Sequence, residues 1–210
     1  MRQISDDQEL VDGPCVYVVD DDAPVRDSLT MLIRSMGYRV KGFESAPQFL
    51  EAYDDGPGCL VLDIRMPQMS GLDLQEVLVE RRAILPIIFM TGHGDVPMAV
   101  QAMRGGAVDF LQKPLRDQDL LDRINEALRK DAENRELLAQ HQATAARLTQ
   151  LTAREREVLD LVVAGKANKV IAYELDVSQR TVEIHRARVM EKMRATSLAH
   201  LVRMVVEAAH

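Results

Sequence analysis

Residues 59–74 read CLVLDIRMPQMSGLDL, and the architecture is legible from this stretch outward. An unbroken apolar run ends on Asp63, a loop punctuated by Pro67 and Gly71 follows, and apolar residues then recur at Leu72, Leu74, Val77 and Leu78. A short continuous apolar run bounded by turn residues is the pattern of a strand buried on both faces. The spacing after it is helical, with Ser70 as a cap. The same unit recurs in both directions: CVYVV (15–19), YRVKGF (38–43), PIIFM (86–90) and VDFLQ (108–112) are further strand candidates. Val25, Leu29, Leu32, Ile33 and Met36 mark a helix that Pro24 can open and Gly37 can close, and Gly105-Gly106 ends the fourth helical segment. Parallel strands need helical crossovers, so five strands each followed by a helix predict an α/β fold, a doubly wound five-stranded parallel sheet.

A chain of 210 residues fits two small cores better than one. From Leu115 to Ala164 there is neither Gly nor Pro, so the fifth helix is expected to run on from Leu120, Leu121, Ile124 and Leu128 through Leu137, Leu138 and Leu148. Asp131, Arg135 and Gln142 interrupt a heptad seam, which favours a solvated linker helix over an autonomous coiled coil. At Thr152 and Glu155 a capping box opens a new helix, stopped by Gly165. A short helix from Asn168 to Leu175, a longer one from Gln179 to Met193 capped by Ser178, and a last one from Ser197 to Ala208 complete an all-α four-helix domain containing a helix-turn-helix. The expected organisation is a disordered N-terminal arm (1–13), an α/β domain (14–128), a helical linker (129–150) and the helix-turn-helix domain (151–210).

Charge separates the two halves. Residues 1–130 carry 14 Lys+Arg against 22 Asp+Glu, net −8, whereas residues 151–210 carry 10 against 8, net +2, as suits a module that meets a polyanion. With 4% aromatic residues, little stacking surface exists for single-stranded nucleic acid. No apolar run approaches the roughly 20 residues that span a bilayer, and the acidic start does not resemble a signal peptide, so no membrane partner and a cytoplasmic location are expected. Cys15 and Cys59 lie in buried-strand patterns and read as small core residues.

The chemistry gathers at the carboxyl ends of the strands, where ligands of such sheets bind. Asp20, Asp21 and Asp22 follow strand one and Asp63 ends strand three. Clustered carboxylates need a cation, and oxygen donors without His or Cys favour Mg²⁺ or a similar hard ion. A carboxylate beside such an ion can attack phosphorus. Thr91 ends strand four with a hydroxyl, and Lys113-Pro114 ends strand five with an ammonium. Asp22 reads as part of a solvated loop. Met31, Met36, Met98 and Met103 read as packing residues.

VVDDD (18–22), LDIRMPQMSG (62–71), MTGHGD (90–95) and GAVDFLQKP (106–114), with the C-terminal half, resemble the FixJ family of response regulators over almost the full chain. The resemblance implies a receiver domain of flavodoxin-like strand order, with Asp63 as phosphoacceptor. Mg²⁺ would be bound by Asp21, Asp63 and the backbone carbonyl of Arg65, with Asp20 helping through the metal shell. Thr91 and Phe110 would form a switch pair, Phe110 being otherwise a core aromatic, and Lys113 would bind the phosphoryl group. A cis Lys113-Pro114 bond is a family feature. Arg65 and His93 would flank the path of attacking water and set the lifetime of the phosphorylated state.

LTAREREVLDLVVAGKANKVIAYELDVSQRTVEIHRARVMEKM (151–193) resembles the LuxR-type helix-turn-helix in its FixJ form. At 100° per residue Val182, Val189 and Met193 make a buried stripe, while Arg180, Glu183, Ile184, Ala187 and Arg188 face outward. A recognition helix enters the major groove by its N-terminal part. Arg180 and Arg188 are candidates for guanine or phosphate, Glu183 for cytosine N4, and Ile184 with Ala187 for thymine methyl groups. Thr181 belongs to the same DNA-binding set, and Lys169 and Lys192 are expected on phosphates. His185 reads as structural. The implied function is a phosphorylation-activated transcription regulator with a histidine kinase, promoter DNA and RNA polymerase as partners, dimerising through its fourth helix and fifth strand and acting as an activator. A phosphate-ester hydrolase is the rival; such enzymes carry a second Asp two residues after the nucleophile, where this chain has Arg65. The chain is therefore expected to be no enzyme beyond its own phosphorylation and slow dephosphorylation.

Overall fold

The five apolar runs form strands β1 (Cys15–Val19), β2 (Arg39–Phe43), β3 (Gly58–Asp63), β4 (Ile87–Thr91) and β5 (Asp109–Gln112) in the computed structural model, which describes residues 13–92 and 96–208. The expected N-terminal arm, apart from Gly13, lies outside the described residues, as does His93. All pairings are parallel, in the order β2-β1-β3-β4-β5. The chain reverses its direction of travel across the sheet between β1 and β3, so the switch point falls where Asp20 and Asp63 leave their strands.

Helices cover both faces because β1 and β3 are apolar in every position but Asp63. Cys15, Tyr17 and Val19 of β1 point to one face. There they meet α2 (Ala46–Ala52), α3 (Gly71–Glu80) and α4 (Val96–Arg104) through Phe49, Leu74, Leu78 and Ala102. Val16 and Val18 point the other way, onto Leu29 and Ile33 of α1 (Ala23–Ser35) and Leu120 and Ile124 of α5 (Asp117–Leu148). Tyr17, Phe43, Phe49 and Tyr53 pack as an aromatic cluster with centroids 5.2–6.4 Å apart. Both cysteines are free and buried. Met98 packs against the core, but Met31 and Met36 are 73% and 56% exposed and Met103 is 41% exposed. At 100° per residue Met31 lies about 200° around α1 from Leu29, on the solvent side, and Met36 sits past the last turn as the C-cap, so neither reaches the core.

The chain divides into two compact units, Met1–Arg135 and Glu136–His210. Helix α5 is continuous through this division, and its two parts pack differently from a solvated rod. In the first unit Asp131 is 2% exposed. It accepts the Gly58 backbone N–H at 2.9 Å and pairs with Arg135 at 2.8 Å, and Arg135 also donates to the carbonyls of Asp55 and Gly56. In the second unit Leu148 packs on a core with Val158, Leu159, Val182, Val189 and Met193. That core is enclosed by α6 (Ala153–Val163), α7 (Asn168–Glu174), α8 (Gln179–Met193) and α9 (Leu198–Glu207). Asp176, at φ 50°, makes the turn into α8.

Candidate functional site

Strand ends deliver the acidic cluster. Asp20 follows β1 and is 1% exposed; Asp63 closes β3 and is 7% exposed. Both carboxylates meet the ammonium of Lys113, which follows β5: Nζ donates to Asp20 Oδ2 at 2.8 Å and to Asp63 Oδ1. The remaining oxygens are held by backbone, Asp20 Oδ1 by the Asp22 N–H at 2.9 Å and Asp63 Oδ2 by the Arg65 N–H at 2.8 Å. Thr91 closes β4, is buried, and its hydroxyl donates to the Gly92 carbonyl at 3.3 Å. The Lys113 N–H donates to the Thr91 carbonyl at 2.8 Å, which fixes the lysine beside the strand end, and the Lys113-Pro114 bond is cis.

Two buried carboxylates sharing one ammonium leave the cluster one negative charge in excess. Burial pushes the Asp63 carboxyl above the usual carboxylate range, against the pull of Lys113. Burial also acts to lower the Lys113 ammonium, but hydrogen bonds and charge from Asp20 and Asp63 outweigh it and hold Lys113 above its ordinary value. The lysine is thus kept charged, as an anion-binding group must be. The donor set suits a hard divalent cation: Asp20 and Asp63 already converge on one cation, all donors are oxygens, and Mg²⁺ is commonly held by one or two carboxylates with water. Asp21 is exposed, and among the described residues no three His, Cys, Asp or Glu side chains are drawn together.

Other expected residues fall into place or out of it. Phe110 is 43% exposed in β5 and is therefore not a core aromatic. Asp22, read as solvated, caps α1 by accepting the Val25 N–H at 3.3 Å. In the sequence Gly71 is only punctuation at the end of a loop. A Cβ there would collide with the Asp63 backbone carbonyl and crowd Phe89, so glycine lets α3 begin against the end of β3.

The second unit presents α8 with Val182, Val189 and Met193 buried and with Arg180, Glu183, Ile184, Ala187 and Arg188 exposed, as the periodicity requires. Ser178 caps the helix by accepting the Thr181 N–H at 3.1 Å, and the Thr181 hydroxyl lies 2.9 Å from that of Ser178. Arg180 stands beside Glu183 at 3.5 Å. Lys169 is exposed on α7. Lys192, expected on a phosphate, has its ammonium on Glu155 at 2.6 Å and on the Gln150 carbonyl at 3.2 Å. Arg186 turns inward to Asn168 at 2.6 Å, tying α8 to α7, a pairing no local pattern announces. His185 is half-buried with Nδ1 enclosed and without a hydrogen-bond partner. Exposed cations flanking Ile184 and Ala187 give the outer face of α8 both the charge for phosphates and the mixed surface for base edges.

Comparison with known proteins assigns both units. Residues 16–125 match the family described as response regulator receiver domain, and residues 149–205 match bacterial regulatory proteins of the luxR family. The chain is 47% identical over 206 residues to the response regulator protein TmoT of Ectopseudomonas mendocina, covering 97% of this chain and 91% of that one. It is 46% identical over 194 residues to the transcriptional regulatory protein FixJ of Bradyrhizobium diazoefficiens, covering 92% and 95%. Among solved structures, the response regulator StyR superposes with a TM-score of 0.81 at 46% identity, over 92% of this chain and 98% of that one. No helix among the described residues is long and apolar enough to cross a membrane.

Proposed function

The chain belongs to the two-component response regulators that join a receiver to a LuxR-type DNA-binding domain, and from that premise we propose that Asp63 is its phosphoryl acceptor and α8 its recognition helix. The observation that carries the reading is the convergence of Asp63 and Asp20 on Lys113 at the switch point of the sheet. A histidine kinase is the donor: the N–P bond of its phosphohistidine breaks as a carboxylate oxygen of Asp63 bonds to phosphorus. Asp21, Asp63 and the Arg65 carbonyl, with Asp20 behind them, would hold Mg²⁺, which supplies charge neutralisation at the phosphoryl oxygens. Lys113 moves its ion pair from the Asp63 carboxylate to the transferred group. The Thr91 hydroxyl turns from the Gly92 carbonyl to a phosphoryl oxygen, and Phe110 follows it as the switch aromatic. Arg65 and His93 govern the access of water and hence the lifetime of the acyl phosphate.

Phosphorylation then acts by population shift, favouring a receiver that dimerises through α4 and β5 so that two recognition helices bind two half-sites. Arg180, Thr181, Glu183, Ile184, Ala187 and Arg188 face the bases, and Lys169 a phosphate. The regulator works in the cytoplasm on promoter DNA with RNA polymerase, as an activator, and has no separate catalytic activity. Incubating the full chain with Mg²⁺ and a small-molecule phosphodonor tests the acceptor assignment. Mass mapping is expected to find the label on Asp63 and none on Asp20, Asp21 or Asp22; a label retained by Asp63→Asn would overturn it.

A further inference from the structure

The turn between β1 and α1 carries Asp20, Asp21 and Asp22, and one side chain closes it. Arg26 donates from Nη1 to the Asp20 carbonyl at 2.7 Å, while its backbone N–H donates to the Asp22 carbonyl at 2.9 Å. On the other side, the Asp20 N–H donates to the Phe43 carbonyl of β2 at 3.2 Å. Both peptide groups of Asp20 are therefore gripped, one by β2 and one by α1, and its two carboxylate oxygens are taken by the Asp22 N–H and Lys113. Asp20 and the Asp22 backbone are thus held in place, with the exposed Asp21 side chain standing between them.

Gly42 makes the reach of Arg26 possible. A Cβ at that position of β2 would sit 3.3 Å from Arg26 Cγ and 3.3 Å from Thr30 Cγ2, tighter than comfortable packing. The bare backbone lets the half-buried stem of Arg26 lie along β2 and aim its guanidinium back at the strand end.

We infer that Arg26 is a positioning residue for the acceptor site: with Gly42 beneath its stem, it holds the Asp20 carbonyl so that the carboxylates of Asp20 and Asp21 present to the divalent cation. Arg26 does not touch the reacting atoms. The proposal rests on the Mg²⁺-dependent acceptor reading above and adds to it a residue outside the pocket.

Position and charge predict opposite signs, which makes the role separable. If Arg26 were only a nearby cation, Arg26→Ala would remove a repulsion and tighten Mg²⁺ binding. If it positions the turn, the same change weakens binding, since residues that orient metal ligands are worth about tenfold or more in metal affinity. Gly42→Ala keeps the full charge and presses on the Arg26 stem and the Thr30 methyl alone, so it weakens binding in the same direction by a smaller factor. Arg26→Lys, with one donor group in place of a fork, falls between.

The experiment is a calorimetric titration of the full chain with magnesium chloride for wild type, Arg26→Ala, Arg26→Lys and Gly42→Ala. Amide exchange at Asp21 and Asp22 is read in parallel. Weaker binding with faster exchange in both Arg26→Ala and Gly42→Ala supports the role. Tighter binding in Arg26→Ala, or wild-type affinity and exchange in Gly42→Ala and Arg26→Lys, overturns it. Should Arg26→Ala not fold, the other two variants decide. If the acceptor reading itself is wrong, wild type shows this alone, by labelling somewhere other than Asp63.

Discussion

Replacing Asp131 by alanine is expected to destabilise the receiver although the residue lies at the end of the sheet opposite the acceptor. Its carboxylate is 2% exposed, pairs with Arg135, and accepts the N–H of Gly58, the first residue of the strand that carries Asp63. Removing one partner of a buried ion pair costs about 3–5 kcal/mol. Arg135 keeps 27% of its side-chain surface, so water can hydrate the stranded guanidinium and the lower end applies. The orphaned Gly58 N–H, an unmet buried donor of the kind that costs about 1–3 kcal/mol, is counted within that figure and not added to it. A net loss of about 3 kcal/mol corresponds to a fall of roughly 10 °C in the transition of a domain this size. Asp131→Asn retains an acceptor oxygen for Gly58 and is expected to lose about half as much. Scanning calorimetry of the full chain resolves the point, with the receiver transition falling and that of the DNA-binding unit unmoved. A receiver transition within about 2 °C of wild type in Asp131→Ala would refute the reasoning.

Three further outcomes are expected. Hydrogen bonds from Lys192 and then from the Thr152 N–H lower the Glu155 carboxyl from 4.5 to about 2. Because its folded pKa lies below its unfolded value, the stability it contributes is present above about pH 4.5 and lost as pH falls towards 2. Acid titration of the DNA-binding unit should reveal about 1–3 kcal/mol of such loss, absent in Glu155→Gln; identical acid profiles would contradict it. Lys192→Ala should likewise destabilise that unit while leaving the salt dependence of DNA binding unchanged, whereas Arg188→Ala should cost about 1–3 kcal/mol of binding with no loss of fold. The reverse pattern in a salt series would restore Lys192 to the phosphates. Gly71→Ala should lower stability and phosphorylation together, as the added Cβ drives α3 away from the Asp63 carbonyl; wild-type labelling kinetics would show that close approach to be dispensable.

Much of the fold was legible because it is written in local pattern. Each apolar run became a strand with ends displaced by at most one residue, and Ser70, Thr152 and Ser178 cap helices as their spacing indicated. What escaped depends on partners remote in sequence. Asp131 and Arg135 read as flaws in a heptad, yet their partners Gly58, Asp55 and Gly56 lie 73 to 80 residues away. Lys192 reads as one more cation of a basic helix until Glu155, 37 residues earlier, is brought beneath it. Arg26 was invisible for a related reason: its target is a backbone carbonyl, which no residue type advertises. Of the acidic cluster, Asp20, Asp63, Thr91 and Lys113 could be placed from strand ends alone, because a parallel sheet puts all its carboxyl ends on one edge.

The central claim is that phosphorylation of Asp63 controls DNA binding by α8. The most direct test is the affinity of the full chain for its promoter DNA at fixed salt, measured with and without a phosphodonor and Mg²⁺, in wild type and in Asp63→Asn. The account predicts tighter binding by the phosphorylated wild type and no response in Asp63→Asn. Equal affinities for phosphorylated and unphosphorylated wild type, or an undiminished response in Asp63→Asn, would contradict it.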